Sequence, residues 1–224
     1  MFSKLSKYIY VYISLMLITA CSLFPQGPQP HVIYERTDLT NPIQKLIIFP
    51  TTDFNGKETT QTKAVDASVN GQWTNIYGTN GVIPAGLIIK KAVDATGKQS
   101  YNKFIATLDN VSAIEQLASN LELKKFTSMI TDKIAATSKG QTKYHFALAI
   151  MSGGEKEYSE GTPVYLHLGL FDVEHFTWKV ITKIEIKKGK SPLAKWHIDS
   201  QQAINNSFNY FDNMNKEAIA NNKK

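Results

Sequence analysis

The residues able to do chemistry in this chain are few and widely spread. Cys21 is the sole cysteine. Its thiol has no intrachain disulfide partner and could serve as a nucleophile, a metal ligand or an attachment point. The imidazoles are His31, His145, His167, His175 and His197. His145 and His167 fall on neighbouring expected strands and could approach each other. Asp172, Glu174 and His175 cluster near an expected turn. Neither set has a recognised ligand spacing such as His-Glu-x-x-His, so both are read as ordinary strand and turn residues and no metal is assigned. Ser152-Gly153-Gly154 suggests a nucleophile on a turn, but a nucleophile elbow wants glycine two residues before and two after the serine. Ile150 stands in the first of those places, and a strand is expected to follow instead of a helix. Gly78-Thr79-Asn80-Gly81 lacks the lysine and the spacing of a phosphate loop. The carboxylates between residues 155 and 160 read as a solvated loop, not a glycosidase pair. Trp73, Trp178 and Trp196 read as packing residues. No catalytic residue and no cofactor is assigned, and the expectation is a protein that is not an enzyme.

Cys21 sits in a distinctive setting. Lys4 and Lys7 precede an apolar stretch of about ten residues from Tyr8 to Ile18, and Leu17-Ile18-Thr19-Ala20 leads directly into the cysteine. The apolar run is too short for an ordinary spanning helix, which needs roughly 20 residues. A cysteine at the first mature position resembles the lipobox of bacterial lipoproteins. That resemblance implies a diacylglycerol on the Cys21 thiol, cleavage before it, and acylation of the new amine. Several acyl chains hold a protein firmly, since each buried methylene contributes roughly 0.8 kcal/mol. Ser22 follows where an aspartate would suggest inner-membrane retention. The resemblance therefore implies the outer membrane of a Gram-negative bacterium, periplasmic side.

The elements that must carry everything else lie beyond residue 20. Removing residues 1–20 of 224 leaves 204, enough for one ordinary domain with tails. Hydrophobic residues at 42% and charged residues at 20% describe a globular chain. The net charge of +6 falls to +4 without Lys4 and Lys7. The remaining lysines are scattered, so no nucleic-acid partner is expected. Ser22 to Pro30 holds Pro25, Pro28 and Pro30 and reads as an extended tether. The expected organisation is a signal peptide at 1–20, an anchor and Pro-rich tether at 21–42, one α/β domain at 43–215 and a polar tail at 216–224.

Within that domain, Lys45 to Pro50 reads as a buried strand entering a loop, Thr51 to Lys57. Val65, Val69, Trp73 and Ile76 recur at helical spacing, ended by Gly78 and Gly81. Pro84 is a candidate start for a short helix through Leu87, Ile88 and Val93, stopped at Gly97. Tyr101 to Leu108 is open between helix and strand. Ser112 and Glu115 form a capping-box pattern before Leu117. Leu121 to Ala136 reads as a helix that ends near Gly140. Period-two alternation in Tyr144–Ile150, Val164–Leu170 and Trp178–Ile186 predicts three strands in a meander with one face packed. The first connection, Ser152 to Pro163, reads as a long, polar, exposed loop, and the second, Val173 to Thr177, as short. Asp199 or Ser200 is expected to cap a last helix lined by Ile204, Phe208 and Phe211. The expected fold class is therefore α/β (α+β): a mixed sheet with a three-strand antiparallel meander and helices packed on it.

Several of these stretches resemble one family of envelope lipoproteins. Lys45 to Pro50 is similar to its proline-ended opening strand. Tyr77-Gly78 followed by Val82-Ile83-Pro84-Ala85-Gly86 is similar to a segment of its uncharacterised branch. Leu170-Phe171-Asp172, with Trp178 six residues after the aspartate, is similar to its strand-turn-strand of the form L-x-D, short turn, W. A glycine usually occupies the turn before that tryptophan; here the turn reads Val173-Glu174-His175-Phe176-Thr177. The group includes the curli secretion-channel lipoprotein, the polysaccharide-export lipoprotein PelC and the lipoprotein activator of penicillin-binding proteins. The resemblance spans residues 43–215 and implies a mixed α/β sandwich and an envelope compartment. It carries no functional residue onto this chain. The expected function is a non-catalytic interaction or assembly subunit of a cell-envelope machine for secretion, export or cell-wall synthesis. Such a subunit would be held to the membrane by lipid, would meet an envelope protein partner, and is compatible with homo-oligomers. The expected partner loop is Gly153, Gly154, Glu155, Lys156, Glu157 and Tyr158. The alternatives are a periplasmic lipoprotein that binds lipid, glycan or peptidoglycan, and an envelope hydrolase that would unite His145 or His167 with a carboxylate and a serine.

Overall fold

The computed structural model describes residues 28–39, 42–96, 98–136, 143–188 and 195–221. Residues 1–20, Cys21, most of the Pro-rich stretch, Gly97, Gly140 and residues 222–224 lie outside them.

The apolar run Tyr144–Met151 forms strand β5, buried along its whole length. On one side it pairs antiparallel with β6 (Tyr165–Asp172). On the other it pairs parallel with β2 (Lys45–Ile48) and β3 (Thr52–Asp53). These two are halves of one interrupted strand. Phe49 still donates its N–H to Ala147 at 3.0 Å, and then Pro50, with no N–H to give, breaks the ladder. Outward from this centre, β4 (Val82–Pro84) runs parallel to β2. Beyond β6, β7 (Thr177–Glu185) and then β1 (His31–Glu35) continue antiparallel. The result is a seven-stranded mixed sheet of order β1-β7-β6-β5-β2-β4 with β3 beside β5. The expected mixed sheet and its β5-β6-β7 meander are present.

Helices cover both faces, which corrects the expectation of a single packed face. Helix α1 (Thr60–Tyr77) and the last helix, α6 (Trp196–Asn221), pack on the face that carries Leu46, Ile48, Ala147, Ala149 and Leu168. Ser68 Oγ to Gln201 Oε1 at 2.7 Å and Gln72 Nε2 to Asn205 Oδ1 at 2.9 Å join these two helices. Helices α2 (Gly86–Thr96), α3 (Lys98–Ala106) and α4 (Leu121–Ala135) pack on the opposite face, against Ile47, Phe146, Leu148, Phe171 and Trp178. Topology explains the division. The crossover from β3 through α1 steps outward to β4, and the one through α2–α4 steps back to β5. Right-handed crossovers that step in opposite directions place their helices on opposite faces. Alternation along the strands therefore separates two apolar sets, not an apolar set from a polar one.

Several local expectations are corrected. Pro84 ends strand β4 instead of opening a helix; at the sheet edge its missing N–H costs nothing. Ser112 and Glu115 cap no helix. That stretch is two single 3-10 turns, Val111–Ala113 and Leu117–Ser119, and the cap of α4 is Asn120, whose side chain accepts from Leu123 N at 3.0 Å. Asp199 lies in the first turn of α6, which starts at Trp196, and Ser200 follows it inside the helix; both are buried. Residues 31–35, expected as tether, are strand β1, and Asn206 ties the chain back at Pro28 through a 3.0 Å bond. The helix also continues past residue 216, where a tail was expected, to Asn221. Tyr101 to Leu108, open in sequence, is mostly helix α3.

Candidate functional site: the cleft at the ends of β3 and β5

Strands β3 and β5 run parallel, and the chain leaves them in opposite directions. From β3 it turns back through α1 to β4; from β5 it passes through a short helix, α5 (Glu155–Ser159), to β6. Adjacent parallel strands whose exits diverge leave a crevice beyond their carboxyl ends, the usual ligand position of open α/β sheets. A cleft of about 410 Å³ lies there, lined by Asp53, Phe54, Asn55, Thr59, Gln61 and Thr62 on one side and by Met151 to Gly154, Lys156 and Glu157 on the other.

Local chemistry builds both walls. In the first, Asp53 Oδ1 accepts from the N–H groups of Asn55 and Lys57, both at 2.8 Å. Gly56 takes φ 67° to close that turn. Thr59 and Thr62 cap α1 reciprocally: Thr62 N donates to Thr59 Oγ1 at 3.1 Å and Thr59 N to Thr62 Oγ1 at 2.8 Å. In the second wall, Glu157 accepts from Gly154 N at 2.9 Å. That bond holds its carboxyl below the usual range. The walls touch at Gly154, where a Cβ would stand 3.0 Å from Gln61 Cγ.

The expected partner segment, Gly153 to Tyr158, is thus one wall of a cleft. It is not a uniformly exposed loop, because residues 155–159 are helical and Tyr158 is buried. The phenol donates to Asp199 of α6, and its ring meets Trp196 edge-on at 5.5 Å. Glu155 and Lys156 remain exposed. The opposite wall escaped the sequence reading. Its signal was the turn pattern Asp53-Phe54-Asn55-Gly56 followed by Thr59, which reads as a loop and a helix cap with no hint of a ligand.

The histidines do not meet. His145 pairs with Asp172 and His167 with Ile150, at opposite ends of the β5–β6 ladder. His145 shares its face with Ala147 and Ala149, and His167 with Phe171, so the two point to opposite layers. His167 Nε2 lies 3.1 Å from Asp109, which Lys183 also holds at 2.9 Å, and Phe54 packs edge-on at 5.0 Å. Burial pushes this imidazole down to about 4, against the pull of Asp109. For Asp109, burial opposes ionisation, but Lys183 and His167 outweigh it and hold the carboxyl below the usual range. Ser152 Oγ is occupied by Tyr165 N at 2.8 Å. Among the described residues no serine hydroxyl bonds either imidazole.

At the other end, Asp172 accepts from His175 N at 3.1 Å and faces His175 Nδ1 at 2.8 Å and His145 Nε2 at 3.7 Å. Burial lowers His145 to about 4. Asp172, Glu174 and His175, close in sequence, do come together: one ligand atom from each lies within 4.8 Å of the others. Among the described residues no helix is long and apolar enough to cross a membrane.

Neither a protein-family model nor a curated protein matches the chain. Among solved structures, it is similar to the PelC dodecamer chain from Paraburkholderia phytofirmans. The two share 8% identity, with 79% of this chain and 92% of that one covered, at a TM-score of 0.36. A likeness of that degree assigns no function.

Proposed function

We propose that this chain is an envelope lipoprotein, anchored through Cys21 at the periplasmic face of the outer membrane. In this reading it acts as a non-catalytic recognition or assembly subunit. The anchor rests on the order Lys4, Lys7, apolar run, Thr19-Ala20-Cys21. The recognition role rests on one structural observation. The cleft beyond β3 and β5 is flanked by the short helix α5, whose Tyr158 is held on α6 while Glu155 and Lys156 are exposed. A helix held in this way with exposed charged side chains suits docking of a protein segment, since ordering costs little on binding.

Photo-crosslinking in cells from position 156 tests this reading. An envelope protein trapped at 156, and not at the distant exposed position Ile219, is the expected result. No adduct at either place would remove the α5 wall from consideration. Deletion of 153–160 is the poorer test, because it also removes buried Tyr158. Size analysis of the purified lipoprotein in detergent reads self-association separately.

A second reading is favoured by the cleft lining. Asp53, Asn55, Gln61 and Glu157 offer amides and carboxylates beside the ring of Phe54. That set suits a glycan or peptidoglycan fragment better than a lipid tail. A thermal shift with cell-wall fragments, lost in Gln61→Ala, would favour it over a protein partner.

A further inference from the structure

We infer that the start of helix α2, together with strand β3, forms a binding site for one phosphate group, free or as a monoester. Its donors are the free N–H groups at the start of α2, the Thr52 hydroxyl and the Lys90 ammonium. The site lies on the other face of β3 from α1 and is independent of the proposal above.

Topology places these groups together. Thr51 and Thr52 turn opposite ways. Thr51 Oγ1 donates to Asp66 of α1 at 2.9 Å. Thr52 pairs with Ile150, which packs in the core beneath α2–α4, so its side chain turns to that layer. A cavity of about 220 Å³ lies there. Thr52, Gly56 and Glu58 border it from the β3 side, Gly86 and Lys90 from α2, and Tyr101 from α3. That is too small for a drug-sized ligand and suits a single oxyanion group. Strand β4 runs parallel to β2 and leads directly into α2. The helix therefore starts at the carboxyl end of parallel strands, where α/β folds hold phosphates.

Two separate observations point to an anion. The first is the helix end. Ile89 N bonds back to Ala85 O at 2.9 Å, so the N–H groups of Gly86, Leu87 and Ile88 lie ahead of the first intrahelical bond. Pro84 and Ala85 have no polar side chain to cap them, and the first turn carries no acid. The helix's own residues leave the positive end of its dipole unanswered. The second is Thr52. It is 4% exposed and its Oγ1 makes no hydrogen bond; the Tyr101 phenol lies nearby without completing one. A buried hydroxyl without a partner marks a place where an acceptor is expected. Burial pushes the Tyr101 phenol up to about 12, so it stays protonated and can donate as well. A tetrahedral phosphate can offer oxygens to the helix end, the hydroxyls and the ammonium at once; a planar carboxylate has two to share. Glu58, exposed on the rim, opposes the charge and should limit affinity.

Isothermal titration of the purified full-length chain with inorganic phosphate, glucose 1-phosphate and acetate tests the site. Saturation at one phosphate per chain is expected, with acetate weaker. Tighter binding of the sugar phosphate would identify a monoester as the preferred form, and tighter binding of inorganic phosphate the free anion; either supports the site. Thr52→Val removes the hydroxyl with little change of shape, and Lys90→Ala alters an exposed side chain. Each should weaken phosphate by about tenfold, the worth of one hydrogen bond to a charged group. Glu58→Gln should strengthen it. Urea midpoints would show that the variants fold. No saturable binding, acetate held as tightly as phosphate, or a phosphate affinity unchanged in both Thr52→Val and Lys90→Ala would overturn the inference.

Discussion

Gly169 shows how closely one face of the sheet is packed at a single residue. A Cβ there would lie 2.5 Å from Leu108 and 2.6 Å from the Trp178 ring, whose Nε1 is fixed on Thr107 Oγ1 at 2.8 Å. Gly169→Ala must displace one of them and should cost about 1–3 kcal/mol, read as a lower urea midpoint at unchanged slope. The buried histidines make a second prediction. Both have folded-state values near 4 against an ordinary 6.5. Between those values the unfolded chain holds more protons than the folded one, so stability falls as pH drops through that window. The full effect is about 3 kcal/mol per imidazole. Asp109 and Asp172, held below the usual carboxylate range, add a loss in the same direction at still lower pH. Urea midpoints between pH 7 and pH 4.5 should fall steadily, and His167→Gln should flatten the slope. A flat profile in the native chain would show that the rings take up protons equally in the folded and unfolded chain, so that burial does not hold them neutral.

Helix α5 is the element on which the recognition proposal turns, and one phenol holds it. Tyr158→Phe removes the bond to Asp199 and leaves a buried carboxylate short of a donor, a cost of about 1–3 kcal/mol. The larger effect should be local: limited proteolysis should cut within 153–163 faster in the variant while the rest of the chain resists. Which elements the sequence disclosed follows from their chemistry. Helix α1 was readable because Val65, Val69 and Trp73 repeat at helical spacing. The three strands of the meander were readable because their alternation is long. Strand β4 was not, since three residues ending in proline carry no periodicity. Strand β1 was hidden behind prolines, although Val32-Ile33-Tyr34 is a β-forming trio. For the sites, the α5 wall showed itself as a polar run between strands. Its opposite wall depends on the parallel pairing of β3 with β5, a long-range register with no local trace. The same holds for His145 and Asp172, which meet only because of the β5–β6 register.

For the whole molecule, the folded unit starts earlier than the sequence indicated. A fragment beginning at residue 43 would lack β1 and the Asn206–Pro28 bond, leaving the long strand β7 as a bare edge. It should unfold at lower urea concentration and aggregate, whereas one beginning at residue 28 should stay monodisperse by light scattering in the same buffer. Equal behaviour of the two would show that β1 is dispensable. Membrane attachment is tested on the complete chain: Cys21→Ser should abolish labelling by radioactive palmitate and release the protein into the soluble fraction, while native protein stays with the membranes.

Recruiting residues 31–35 into the sheet also shortens the leash. Nine residues, 22–30, separate Cys21 from β1, and because Asn206 holds the chain at Pro28 they reach less than their full stretch of about 30 Å. With lipid on Cys21, the β1 edge would ride within that standoff of the head groups, and any partner would have to come to the bilayer to find it.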